Sequence, residues 1–192
     1  MKAISAMWPA VRRRVDVPEG GAAIGYDRGL RVILWAMVVT SPLELVVVHH
    51  LLPWEWARWA HLAVMAAAVL WSLGFIASLW VYPHAVNDER LRIRFGGLLD
   101  VVIPVRLIES VRSERVSKGQ SKLAEVVGET LSVEVGGMTN LVVRLREPHE
   151  VNGFGRVRAV RFTADDPREA VRQVTRYISR SETHGQDGGK AG

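Results

Sequence analysis

The residues of this chain whose types and spacing could do chemistry sit in an otherwise apolar stretch. They are a single carboxyl, Glu44, and the imidazoles of His49, His50 and His61. A carboxylate near the middle of a hydrophobic span costs several kcal/mol unless it is protonated or paired, so Glu44 is either useful or shielded. The useful form is a proton-binding or substrate-contacting carboxyl. The shielded form is a neutral acid that donates a hydrogen bond to a backbone carbonyl, such as that of Val38, which Pro42 leaves without its donor. The histidines could bind zinc, copper or haem iron, or pass protons outward from Glu44. With no cysteine and no close carboxylate the ligand set is incomplete, and histidines at a membrane rim commonly bond only water or headgroups.

A second group is basic. Arg90, Arg92 and Arg94 alternate along one strand, and Lys118 and Lys122 follow in a loop; together they could make charge-assisted contacts to lipid phosphates. Strand alternation alone predicts the same three arginines as a solvated face, and Asp88 and Glu89 beside them weaken the field. No phosphate loop, nucleophile elbow or cluster of histidine with carboxylate appears after residue 82, so the sequence predicts no enzyme, no metal and no cofactor. His84, His149 and His184 are scattered, and His84, next to Pro83 at a membrane exit, is expected to be neutral and interfacial.

These residues must be positioned by two unlike parts. The 192 residues are 48% apolar and 23% charged, but only Arg31, Glu44, Glu55 and Arg58 carry charge between residues 30 and 82. Zero cysteines exclude disulfides and thiolate zinc sites. The modest net charge of +5 suits an anionic membrane surface and predicts no nucleic-acid partner. Residues 30–52 and 59–82 read as transmembrane helices joined by a turn at 53–58, hence an antiparallel hairpin in the lipid bilayer. Lys2, Arg12, Arg13, Arg14, Arg28 and Arg31 precede it, and Arg90, Arg92 and Arg94 follow, which predicts an inner (cell) membrane protein with both termini cytoplasmic. Trp54, Trp56 and Trp59 would form the outer aromatic belt, and Trp35, Trp80 and Tyr82 the inner one. Residues whose numbers sum to about 111 should lie at equal depth, which levels His50 with His61. Ala63, Ala67, Gly74 and Ser78 share a stripe of small residues suited to close contact with the other span or with another copy of the chain.

From residue 83 the apolar pattern changes to period two. Strands are predicted over 91–95, 99–103, 107–112, 131–135, 141–146 and 157–162, with a two-residue turn at Gly96-Gly97 and a second glycine turn at Gly136-Gly137. The segment 113–130 predicts a mobile loop or short helix. Asp166, Pro167 and Glu169 open a closing helix whose apolar stripe is Val171, Val174 and Ile178. Residues 1–29 are expected to be a flexible basic segment, with Met7, Trp8 and Val11 able to lie on lipid, and 182–192 a disordered tail.

The two spans with a tiny outer turn, the opening RLRIRFGGLLDVVIPVRLIESVR, the element Ile103, Pro104 and Ile108, and the capped closing helix together resemble small bacterial two-span membrane proteins with a bacterial pleckstrin-homology-like domain. The resemblance covers about residues 28–181, and the segment 136–148 departs from it. It implies a mainly β, partly open barrel over residues 83–181, capped by a C-terminal helix and tethered under the membrane. The family has no single established activity; the small-residue packing surface and the lack of an active-site motif lead to the expectation of a non-enzymatic binding or scaffold role. The competing expectation is a proton- or metal-responsive sensor built on Glu44, His49, His50 and His61.

Overall fold

The computed structural model describes residues 15–117 and 123–187, with side chains described as far as Thr183. The chain enters through a short strand, β1 (Ala22–Ile24), and passes into a long helix, α1 (Arg28–Leu51). A second helix, α2 (Glu55–Val81), returns antiparallel and delivers β2 (His84–Val86), which pairs with β1 so that Ala22 faces Val86 and Ile24 faces His84. The helical hairpin is thus an insertion between two neighbouring strands, and both of its ends lie on one side.

Both helices are long and apolar enough to cross a membrane. At 1.5 Å per residue they extend about 36 and 40 Å. Their mutual seam recurs every three or four residues, with Leu34, Val38, Ser41, Leu45 and Val48 facing His61, Met65, Val69 and Ser72. Away from the seam the side chains are bare: Val39 is 71% exposed, Leu43 69% and Val64 66%, unlike a helical pair from the core of a soluble protein. Pro42 lies inside α1, where Thr40 and Ser41 turn their hydroxyls onto the carbonyls of Ala36 and Met37. Arg58 closes the turn between the two helices by donating from Nε to the Leu52 carbonyl at 2.8 Å, one of the groups a helix end leaves unpaired. Arg31 lies over the Trp80 ring, 5.9 Å from its centroid, a pairing the equal-depth rule expects.

The remaining elements are β3 (Arg90–Phe95), β4 (Leu99–Pro104), a 3-10 turn at Val105–Leu107, β5 (Ile108–Ser117), β6 (Ala124–Val127), β7 (Thr130–Val133), β8 (Met138–Val151), β9 (Gly155–Phe162) and α3 (Pro167–Asp187). They form two open sheets, ordered β1-β2-β3-β4 and β5-β8-β9-β7-β6, antiparallel except where β7 runs parallel to β9. Alternation decides the core: Leu91, Ile93 and Ile103 from the first sheet meet Leu141, Val143, Val160 and Phe162 from the second. Ala170, Val174 and Ile178 of α3 pack against the same core. Its start follows the expected chemistry in part, since Asp166 Oδ1 accepts the Glu169 N–H at 3.0 Å, but the Glu169 carboxylate turns to Arg172 and Gln173 instead of reaching back. Pro148 is accommodated within β8 because the pairing with β9 shifts between Arg144 and His149, where a missing donor breaks no ladder bond.

Several boundaries differ from the sequence expectation. The segment 113–130 is neither loop nor helix where it is described: β5 continues through Ser117 and β6 and β7 follow, because pairing with β8 and β9 supplies hydrogen bonds that a polar sequence does not advertise. Residues 15–29 are not loose, since β1 adds an edge to the first sheet and Ile24 and Tyr26 are buried. The helix α3 runs on to Asp187, so 182–187 is helical backbone and not tail. The turn after β3 holds three residues, not two: Phe95 faces Leu99, so Arg94 falls opposite Asp100. Residues 1–14, 118–122 and 188–192, and with them Met7, Trp8, Val11, Lys118, Lys122 and the end of the expected tail, lie outside the described residues.

Candidate functional site

The most elaborate polar arrangement lies where the helical hairpin meets the sheets. The last ten residues of α2, Ser72–Val81, run along the domain, and Phe75, Ile76 and Leu79 join Tyr26, Leu34, Phe95 and Val135 in a second apolar cluster. The β3–β4 turn reaches this helix at Gly96. There φ is +50°, and a Cβ would stand 2.6 Å from the Ser78 hydroxyl, so glycine is needed for both conformation and space. Of the small-residue stripe, Ser78 is therefore occupied by the chain's own β3–β4 turn and Gly74 is buried, while Ala63 and Ala67 remain exposed.

Tyr26 and His84 form the floor of this junction, their rings stacked 4.2 Å apart. The Tyr26 hydroxyl accepts the Gly96 N–H at 2.7 Å and donates to the Tyr82 carbonyl at 3.4 Å; burial pushes its phenol well above the ordinary range. His84 is fully buried, not interfacial. Its Nδ1 accepts the Arg94 N–H at 2.9 Å, so Nε2 carries the proton and donates to the Thr163 carbonyl at 3.0 Å. Burial lowers its pKa from 6.5 to about 3, against the opposing pull of the Thr163 bond, and the ring is neutral. With both nitrogens occupied it has no free position for proton transfer to a ligand.

The three strand arginines do not form one open basic face. Arg90 is exposed beside Glu89. Arg92 is tied to Asp100, which raises its pKa. The Arg94 side chain is only 2% exposed: Nη1 donates to the Asp16 carbonyl at 2.8 Å, Nη2 lies 3.0 Å from the Asp16 carboxylate without hydrogen-bond alignment, and the guanidinium stands over Tyr82. Tyr82 thus borders this junction. Asp16, Asp100, Arg92, Arg94 and Tyr82 border a cavity of about 320 Å³ beside the turn. Two guanidinium groups and two carboxylates leave neither a bare anion nor a bare cation an uncompensated partner there.

A third tie fixes the start of α1. Asp165, just before α3, accepts the Arg28 N–H at 3.0 Å, where the N-cap residue Asp27 makes no side-chain cap and instead pairs with Arg31. The residues Asp16, Tyr26, Asp100 and Asp165 were not marked by sequence motifs. Only Asp27 and Arg31, four apart on a helix, carried a local signal.

Inside the hairpin, Glu44 is exposed on the flank of α1, at the mouth of a cleft of about 170 Å³ shared with Thr40, Ser41, Met65, Ala68 and Ser72. Among the described residues no hydrogen bond or ion pair joins Glu44, so the expected bond to the Val38 carbonyl is absent. His50 spends Nδ1 on the Val46 carbonyl at 2.8 Å, and its ring meets that of His49 edge-on. His61 faces the seam with Nδ1 enclosed and unbonded. Among the described residues no three of His, Asp or Glu are grouped to hold a metal.

No protein family, curated protein or solved structure matches this chain. The functional reading therefore rests on the geometry.

Proposed function

We propose that this chain is a two-span membrane protein that holds a binding domain of the bacterial pleckstrin-homology-like type rigidly against the cytoplasmic face of a bacterial inner membrane, in a non-enzymatic interaction or scaffold role. The observation that carries it is the insertion of the apolar hairpin between the paired strands β1 and β2, with the lower part of α2 built into the domain's apolar cluster. A hairpin joined in this way leaves little freedom for the domain to swing, so any partner bound by the sheets is held at a fixed height and orientation. The bare apolar surface of α1 and the upper part of α2 supports insertion in lipid, where that surface has no unfavourable contact with water. Four basic residues before the hairpin and two more, Arg28 and Arg31, at the start of α1, against Arg58 alone in the turn, favour the cytoplasmic placement of both ends. The glycine-turned opening hairpin, the two sheets and the closing helix support the domain type.

The test has two arms. Protease added to intact spheroplasts should spare tags at both ends and cut both in inverted vesicles, while the chain should leave the membrane only with detergent. Crosslinking in cells should then capture a reproducible partner through the β domain. Tags open to the outside, or a dissolved monomer without detergent, would overturn the membrane reading; absence of both partner and self-association would overturn the binding role.

A further inference from the structure

The exposed carboxyl of Glu44 has a consequence for how this chain sits in lipid. The apolar run of α1 from Val32 to Leu51 places Glu44 two to three residues past its middle, about 11 Å short of its outer end. The side chain cannot reach that nearer rim, because Cα–Cβ bonds in a helix tilt toward its N-terminus, which here is the farther end. Among the described residues no hydrogen bond or ion pair joins it, and its neighbour Thr40 already donates its hydroxyl hydrogen to Ala36. A lone carboxyl facing hydrocarbon is strongly disfavoured, and since no described residue pairs with it, a partner from outside the chain relieves that cost.

Copies of one chain inserted with the same orientation can be related only by axes along the membrane normal, so groups at equal depth meet. We infer that this chain self-associates along the flank of α1 bearing Met37, Thr40, Glu44 and Val47, with Glu44 of one copy hydrogen-bonded to Glu44 of the other. One carboxyl donates its proton and the other accepts, which removes the unpaired group from both copies at once. The four positions are spaced three and four apart, the pattern two parallel helices need to pack. This flank differs from the Ala63 and Ala67 face, which lies on the opposite side of the hairpin from α1. The inference rests on the two-span reading.

The absence of cysteine makes the test clean. Single-cysteine variants of the full chain in native membranes, Thr40→Cys, Val47→Cys and Ala63→Cys, are oxidised and read as dimer on non-reducing gels. Thr40→Cys and Val47→Cys should crosslink and Ala63→Cys should not. Adding Glu44→Leu to Thr40→Cys should lower the dimer several-fold, and Glu44→Gln, whose amide still pairs, should keep most of it. Crosslinking from Ala63→Cys alone, or a yield indifferent to Glu44→Leu, would overturn the inference. An alkaline carbonate wash of the same membranes separates the two failures: release of the chain would defeat the span reading itself, whereas retention without crosslinking defeats only the association.

Discussion

Gly96 lies against Ser78 so closely that a Cβ on the glycine would stand 2.6 Å from the serine hydroxyl. One belongs to a hairpin turn of the first sheet and the other to the last turns of α2. Their contact lies in the joint between helix and domain, and it explains why α2 carries a small residue at Ser78. Tyr26 reinforces the joint by accepting the Gly96 N–H and donating to Tyr82. The domain is therefore welded to the hairpin at three places: Gly96 on Ser78, Asp165 on the start of α1, and Asp16, whose carbonyl Arg94 holds and whose N–H donates to the Val81 carbonyl at the end of α2.

Replacing Gly96 by alanine should destabilise the chain by about 2 kcal/mol, through the clash and the positive φ together. Adding Ser78→Gly removes the clashing hydroxyl and should recover part of the loss but not the backbone strain. Thermal midpoints in detergent for the two single variants and the double variant check this; equal losses in the single and double variants would deny the contact.

Stability should decline with acid through His84. Its folded pKa, near 3, lies below the ordinary 6.5, so between these values the unfolded chain takes up a proton that the folded chain refuses. At pH above about 6.5 the group makes no difference; below it stability falls steadily toward pH 3. His84→Gln, which keeps a donor and an acceptor, should flatten that slope. Denaturant midpoints at pH 7, 5.5 and 4.5 for both proteins are the measurement.

Arg94→Met should cost on the order of 2 kcal/mol, because it removes the charge-assisted bond to the Asp16 carbonyl and the ion pair with the Asp16 carboxylate, whereas Arg90→Ala on the same strand should change stability by less than about 0.5 kcal/mol. The two lie four residues apart on one strand and were indistinguishable in sequence. Limited proteolysis should also cut near Asp16 faster in Arg94→Met, since Nη1 holds the Asp16 carbonyl.

Asp165→Ala should leave the Arg28 amide without its acceptor and weaken the start of α1 by about 1 kcal/mol. Hydrogen exchange at Arg28 and Gly29 should accelerate while amides near Leu45 stay unchanged. Asp165→Asn, which still accepts, should behave close to the original.

Much was legible along the chain because it depends on local composition and period. The two long apolar helices, the short turn between them, the alternating strands 91–95, 99–103 and 157–162 and the capped final helix each announce themselves within a dozen residues. The strands β1, β2 and β6 did not, since three or four residues carry no readable period; β1 finds its partner sixty or more residues along the chain, and β6 turns straight back onto β7. The site shows the same division. Arg90, Arg92 and Arg94 read alike in sequence, and one extra residue in the turn sets Arg94 opposite Asp100 while the packing of the segment around Asp16 closes over it.

Sequence alone determined that two apolar helices precede a β domain and that one carboxyl interrupts the first helix, because hydropathy and hydrogen-bonding period are properties of neighbours in the chain. Tertiary structure decided that the hairpin is set between two paired strands, that His84 is buried with both nitrogens satisfied, that Ser78 receives a turn, and that Glu44 is exposed without a partner among the described residues. Those outcomes depend on which distant segments exclude water from one another, and no local pattern records that.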